Sequence, residues 1–145
     1  MSEYIPSPRD WMAQQVELYE SSSGTEGFTL RDTDLPVIIM TNRECKTAAI
    51  RKTPLMNVVD GNSYSLVASY GGSPTNPLWC QNVKADPNVE IRDESKTYSM
   101  RVREVADSAE RQRLWDIAVA AFPSYQGVVD WTARPIPVFI AEPID

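Results

Sequence analysis

Ten residues from Arg43 to Lys52, RECKTAAIRK, set four cations against one acid: Arg43, Lys46, Arg51 and Lys52 against Glu44. Thr47 and Thr53 add hydroxyl donors. This is the side-chain set of a phosphate or carboxylate clamp, built on charge-assisted hydrogen bonds to a polyanionic ligand. A solvated basic loop answering nearby acids is the competing reading. Cys45 lies between Arg43 and Lys46, where positive neighbours would favour its thiolate; an inert loop thiol is the alternative. A second stretch, Val67–Pro87 (VASYGGSPTNPLWCQNVKADP), reads as a strand end, a Gly-Gly turn and a short helix. Ala68, Ser69, Gly71 and Gly72 carry almost no side chain, so backbone N–H groups there can approach a flat ring or a phosphate. Asn76 suits the helix N-cap and Pro77 its first turn. Trp79 and Asn82 then share a helix face, and Trp79 serves equally well as a core residue. A third stretch, Phe122–Trp131 (FPSYQGVVDW), places Phe122, Tyr125 and Trp131 in a Pro/Gly-punctuated loop. Such aromatics can cover a planar ligand and offer a phenol as proton donor, or plug the end of a barrel. Brought together, the three would make one site: a basic loop on an anionic tail, a small-residue strand end under a ring, an aromatic loop above it.

Composition removes other chemistries. The 145 residues contain no histidine. That takes away the commonest general base and metal ligand, and with them Ser-His-Asp and Cys-His hydrolysis. Cys45 and Cys80 are too far apart for a Cys-x-x-Cys pair, so no zinc site is expected. Both read as reduced thiols of a cytoplasmic protein. The net charge of −6 argues against a nucleic-acid partner, which requires a basic face. MSEYIPSPRD lacks the apolar core of a signal peptide, and no apolar run reaches the ~20 residues of a membrane span. An enzyme with this composition would lean on a cofactor for its chemistry.

The chain reads as one domain over residues 1–145, with 1–7 as a flexible lead. Ser7-Pro8-Arg9-Asp10 predicts a helix start. Met12, Val16 and Tyr19, with Trp11 and Leu18, then give an amphipathic helix of about four turns. This helix would pack on the domain; contact with a membrane surface is the weaker reading, since its polar face carries Glu17 and Glu20 instead of a lysine row. Strands are expected at Val37–Thr41, at Pro54–Asp60 and Ser63–Tyr70 around the hairpin signal Gly61-Asn62, at Val89–Arg92 and Thr97–Ala106 around the Asp93–Lys96 turn, and at Ile136–Glu142. Asp107 and Glu110 form a capping box for a helix whose core face is Leu114, Ile117, Ala118 and Ala121, with Trp115 and Phe122 beside it. About six antiparallel strands with helices at the ends and in the connections make an α+β domain, a small barrel.

RKTPLM (51–56), VAS-x-GG-x-x-x-NP-x-W-x-x-N (67–82), KADP (84–87), PSYQ (123–126) and WT-x-R (131–134) occur here in order. With them the chain resembles the deazaflavin-dependent nitroreductase family of actinobacteria, reductases that use coenzyme F-420 on a split β-barrel. The resemblance runs from the first helix to the closing IPVFIAEP. It implies an FMN-binding split-barrel-like fold with an N-terminal helix. It also implies residue roles. Cys45, Lys46, Thr47, Arg51 and Lys52 would meet the phosphate and oligoglutamate tail, and Thr53, Pro54, Leu55 and Met56 would line the strand against which the deazaflavin lies. Val67, Ala68, Ser69 and Tyr70 would pass beneath the ring, and Leu78, Trp79, Cys80, Gln81 and Asn82 would form the other wall. Tyr125 would touch the substrate and act as the catalytic proton donor. The chain departs from the family pattern at Glu44 and Ala48, where glycine is usual, at Tyr70 for lysine, at Phe122 and Val128 for tyrosine, and at Ala133 for aspartate. The implied activity is hydride transfer from reduced deazaflavin to an electron-poor small molecule such as a quinone, an enone or a nitroaromatic. The alternatives are an FMN-dependent split-barrel oxidoreductase and a non-catalytic deazaflavin carrier.

Overall fold

A computed structural model describes residues 4–6, 10–27, 29, 36–68, 79–123 and 136–144. Among these residues seven strands form one antiparallel sheet: β1 (Val37–Arg43), β2 (Ile50–Met56), β3 (Val59–Asp60), β4 (Ser63–Val67), β5 (Asn88–Asp93), β6 (Lys96–Glu104) and β7 (Val138–Pro143), in the order β2-β1-β5-β6-β7-β4-β3. Among the described residues three helices accompany them: α1 (Asp10–Ser21), α2 (Trp79–Ala85) and α3 (Ser108–Ala121). Only Asn57 and Val58 separate β2 from β3, although these strands stand at opposite ends of the order. So short a link forces the sheet to curl until its edges approach. The closure is hydrogen-bonded: Ser65 N–H donates to the Val58 carbonyl at 2.9 Å and Asn57 N–H to that of Pro36 at 3.0 Å.

The apolar alternation of the strands then encloses an interior. Ile38, Met40, Leu66, Ile91, Met100 and Phe139 are buried there together, with Leu55 packed against them. The opposite sheet face is covered twice. α1 lays Val16 and Tyr19 on Val37 and Ile39, and α3 lays Leu114, Trp115 and Ala118 on Val67, Val138 and Ile140. Asp107 caps α3 by accepting from Glu110 N–H at 2.8 Å. The Glu110 carboxylate does not return the bond, because Arg103 takes both of its oxygens at 2.9 and 2.8 Å. Gly61 at the β3–β4 turn has φ +61°, as the hairpin signal requires.

Several expectations shift. The strand expected over 54–60 is two pieces: β2 begins at Ile50 and pairs with β1, while β3 is a two-residue arm of the hairpin. α1 has 12 residues, about three turns; its expected cap, Ser7-Pro8, lies outside the described residues. Residues 4–6, within the stretch read as a flexible lead, run along β2, with Tyr4 bridging to Ile50 and Ile5 N–H donating to the Ile50 carbonyl at 2.9 Å. Ala121 is exposed and Ile117 half-buried, so the core face of α3 turns toward Trp115 instead. Phe122 is 3% exposed and packs under α3, so it is a core residue and not a ligand cover. Among the described residues, no helix is long and apolar enough to cross a membrane.

Candidate functional site

The antiparallel register sorts the chain's polar groups to two ends of the barrel. At one end meet the close of β1, the start of β2, the end of β4 and α2; at the other lie Asn57, Tyr64 and Asp93. The first end carries the basic segment. Its turn is closed by Glu44 N–H to the Ala49 carbonyl and Ala48 N–H to the Glu44 carbonyl, both 2.8 Å, and by Ala49 N–H to Thr47 Oγ1 at 3.2 Å. Ala48 sits at φ +59°, the left-handed region that explains why glycine suits this position. Asn82 of α2, 4% exposed, accepts the Cys45 N–H on its Oδ1 at 3.1 Å. The turn is therefore pinned to α2 while Cys45, Lys46 and Thr47 face outward. Trp79 anchors α2 in turn: its indole is 5% exposed and meets Phe139 edge-on, with centroids 5.2 Å apart. Cys80 is buried beside it and Gln81 is exposed.

Side chains of successive strand residues point to opposite faces, and this divides the basic set. Ile38, Met40 and Asn42 face the interior, and their register partners Leu55, Thr53 and Arg51 share that face. Lys52, Pro54 and Met56 face α1. Lys52 Nζ lies 2.6 Å from Glu20 Oε1 and 5.0 Å from the Tyr4 ring centroid. Arg51 is held along one edge: Nε donates to Glu44 at 3.1 Å, and Nη1 to the carbonyls of Ile5 and Pro6 at 3.1 and 3.0 Å. Its Nη2 has no partner among the described residues. Lys46 likewise forms no ion pair among them. The structure thus brings Lys46, Thr47, Arg51 and Asn82 to one turn and directs Lys52 elsewhere. Ala68, wholly buried, ends the β4 path into this region, its N–H donating to the Pro137 carbonyl at 3.0 Å. Val67 faces α3 instead. Ser69, Tyr70, Leu78 and Tyr125 lie outside the described residues.

Asn42 was not anticipated. It is 2% exposed, and neither Oδ1 nor Nδ2 has a hydrogen-bond partner among the described residues. Leaving a buried polar atom unpaired costs about 1–3 kcal/mol, so this carboxamide is anomalous for a folded core. The available signal is its position, one residue past the apolar run VIIMT and in phase with Ile38 and Met40. Among the described residues no acid, cysteine or histidine cluster is suited to a metal ion.

The arrangement is that of a rigid cationic turn over an apolar barrel end, fit to hold an anion beside a flat apolar group. Comparison with known proteins assigns the chain to a family. Residues 11–143 match the family model described as F420H(2)-dependent quinone reductase. An F420H(2)-dependent quinone reductase of Mycobacterium tuberculosis strain H37Rv is 32% identical over 128 residues, 85% of this chain and 83% of the relative. A solved F420-H2 dependent reductase is 38% identical with a TM-score of 0.69, covering 78% of this chain and 99% of that one. A structure described as a domain-swapped dimer is also 38% identical, with a TM-score of 0.72 over 94% of this chain and 100% of that one. The family match spans the curled sheet, the basic turn and α2 alike. The fold is the split β-barrel expected from the motifs, and the chain is a member of the F420H(2)-dependent quinone reductase family.

Proposed function

We propose that this protein binds reduced coenzyme F-420 at the Cys45–Ala48 end of the barrel and reduces small quinones, with enones and nitroaromatics as further acceptors. The observation that carries the reading is the outward-facing turn pinned to α2 by Asn82, within a family match spanning residues 11–143. The residues fit the cofactor. Lys46, Thr47 and the uncommitted edge of Arg51 offer donors to a phosphate and a polyglutamate tail, while Ala68 adds no bulk beyond its methyl group where a ring would approach. When bound, the reduced deazaflavin supplies a hydride, which suits a chain with no histidine. The protein's own work is then to hold, orient and exclude. The Asn82 bond fixes the turn, and the Trp79–Phe139 contact fixes the helix that carries Asn82. Tyr125, outside the described residues, is the proposed proton donor to the reduced acceptor. Lys52, tied to Glu20 on the α1 face, contributes to packing and not to the clamp.

The test is a fluorescence titration of the purified protein with F-420 and, separately, with FMN, followed by turnover of a soluble quinone with reduced F-420. Saturable tryptophan quenching by F-420 alone, together with quinone-dependent oxidation of the cofactor, is the expected result. Preference for FMN overturns the cofactor assignment, and binding without turnover of any acceptor class makes the protein a carrier.

A further inference from the structure

We infer that Asn42 is a cofactor-positioning residue, kept in the barrel wall as an unpaired carboxamide so that a phosphate or carboxylate oxygen of the bound cofactor's tail can take its Nδ2 donor. The inference rests on the F-420 reading above and adds to it a residue outside the basic motif. Four observations lead to it. Asn42 stands directly across β1 and β2 from Arg51, in register, so the two side chains leave the same face of the sheet. Arg51 has committed its Nε and Nη1 to Glu44, Ile5 and Pro6, which leaves Nη2 uncommitted among the described residues. Asn42 has committed neither polar atom among the described residues, although it is 2% exposed. Finally, the Cys45 turn that follows it is locked to α2, so the wall cannot easily relax to pair the amide internally.

A purely structural residue at this position would be apolar, as its in-phase neighbours Ile38 and Met40 are. An asparagine with both polar atoms orphaned weakens the apo protein, and that cost is recovered only when something polar arrives. An anion drawn to Arg51 and Lys46 would do so, with the Asn42 amide donating to it and its Oδ1 free to accept from the spare Nη2 of Arg51. This makes Asn42 a residue whose stability and binding effects have opposite signs.

The experiment compares wild type with Asn42→Leu, reading thermal midpoint without ligand and affinity for F-420 and for the phosphate-free deazaflavin riboside. The expected result is an apo midpoint raised by a few degrees, F-420 affinity lowered about tenfold (about 1.4 kcal/mol) and riboside affinity unchanged. Asn42→Asp keeps the shape but replaces the donor with a negative charge, so it should lower F-420 affinity most at low salt. An apo midpoint that falls while F-420 affinity holds overturns the inference and makes Asn42 structural, as an amide satisfied by ordered water would be. Equal losses for F-420 and the riboside overturn it too, by moving the contact to the ring. Wild type that binds neither ligand overturns the F-420 reading and this inference with it, whereas wild type and variant that bind F-420 equally overturn this inference alone.

Discussion

At the scale of single residues, parity along β2 decides which cations can act together. Arg51 and Lys52 are adjacent in sequence and read as one basic pair. In the strand they leave opposite faces, Arg51 beside Asn42 and Lys52 beside Glu20. Their substitutions should therefore separate. Arg51→Ala is expected to weaken F-420 binding about tenfold at low salt, with the difference from wild type shrinking as ionic strength rises, because the Debye length falls to about 8 Å near 0.15 M. Lys52→Ala should leave that affinity within about twofold and cost at most about 1 kcal/mol of stability, the usual limit for a partly exposed pair. Titrations at two ionic strengths read the first expectation and urea unfolding the second. Equal losses of affinity in both variants would show that the two side chains reach one ligand despite the strand. The composition of the basic segment was legible in the sequence, but its division was not. That division depends on β2 starting at Ile50, and β2 starts there because β1 pairs with it, which is information outside the segment itself.

At the scale of elements, local signals carried where the partner was local and failed where it was distant. The Gly61-Asn62 turn and the Asp107 cap each close within a few residues; the turn stands as expected, and of the capping box the Asp107 half stands. The strand over 54–60 broke because Met56 still pairs with Val37 while Val59 pairs with Tyr64. Phe122 looked like a loop aromatic because the α3 core that swallows it comes from β4 and β7. Two turns with left-handed backbone make a sharper test. Gly24 has φ +80°, and a Cβ there would clash with the Glu94 backbone carbonyl, where the turn after α1 meets the β5–β6 turn. Ala48 has φ +59° and already carries its Cβ. Gly24→Ala should cost about 2–4 kcal/mol, a left-handed penalty plus a steric one. Ala48→Gly should be neutral or stabilise by up to about 1 kcal/mol, since relief of the same penalty is offset by glycine's greater chain entropy. Urea unfolding of the two variants beside wild type checks both signs. A Gly24→Ala protein as stable as wild type would mean that the two turns do not meet as described.

At the scale of the whole molecule, the barrel's two ends have different duties. The Cys45 end carries the cations of the proposed site and the Asn42 amide, unpaired among the described residues. At the other end the Asp93 carboxylate is paired, accepting from Tyr64 Oη at 2.8 Å and from Asn57 Nδ2 at 3.2 Å, while Asn57 Oδ1 has no partner among the described residues. Tyr19, wholly buried, accepts from the Glu94 N–H with its hydroxyl and joins α1 to the same turn. Burial raises both phenols above the ordinary tyrosine value of 10.0, and for Tyr64 the bond to Asp93 raises it further. The sign of the linkage follows. Below pH 10 the phenols are protonated in both folded and unfolded chains, so their contribution to stability is complete. Above pH 10 the unfolded chain ionises them and the folded chain does not, so stability falls as pH rises. No histidine titrates between pH 5 and 8. Unfolding free energy measured in urea should therefore stay nearly level from pH 6 to about 9.5 and drop steeply beyond it. Tyr64→Phe should lower the level at pH 7, by removing a donor to Asp93, yet flatten the alkaline slope, because one of the raised phenols is gone. A slope above pH 10 that is unchanged in Tyr64→Phe would assign the alkaline loss to other groups, and would leave the Asp93 end as packing without a titrating role.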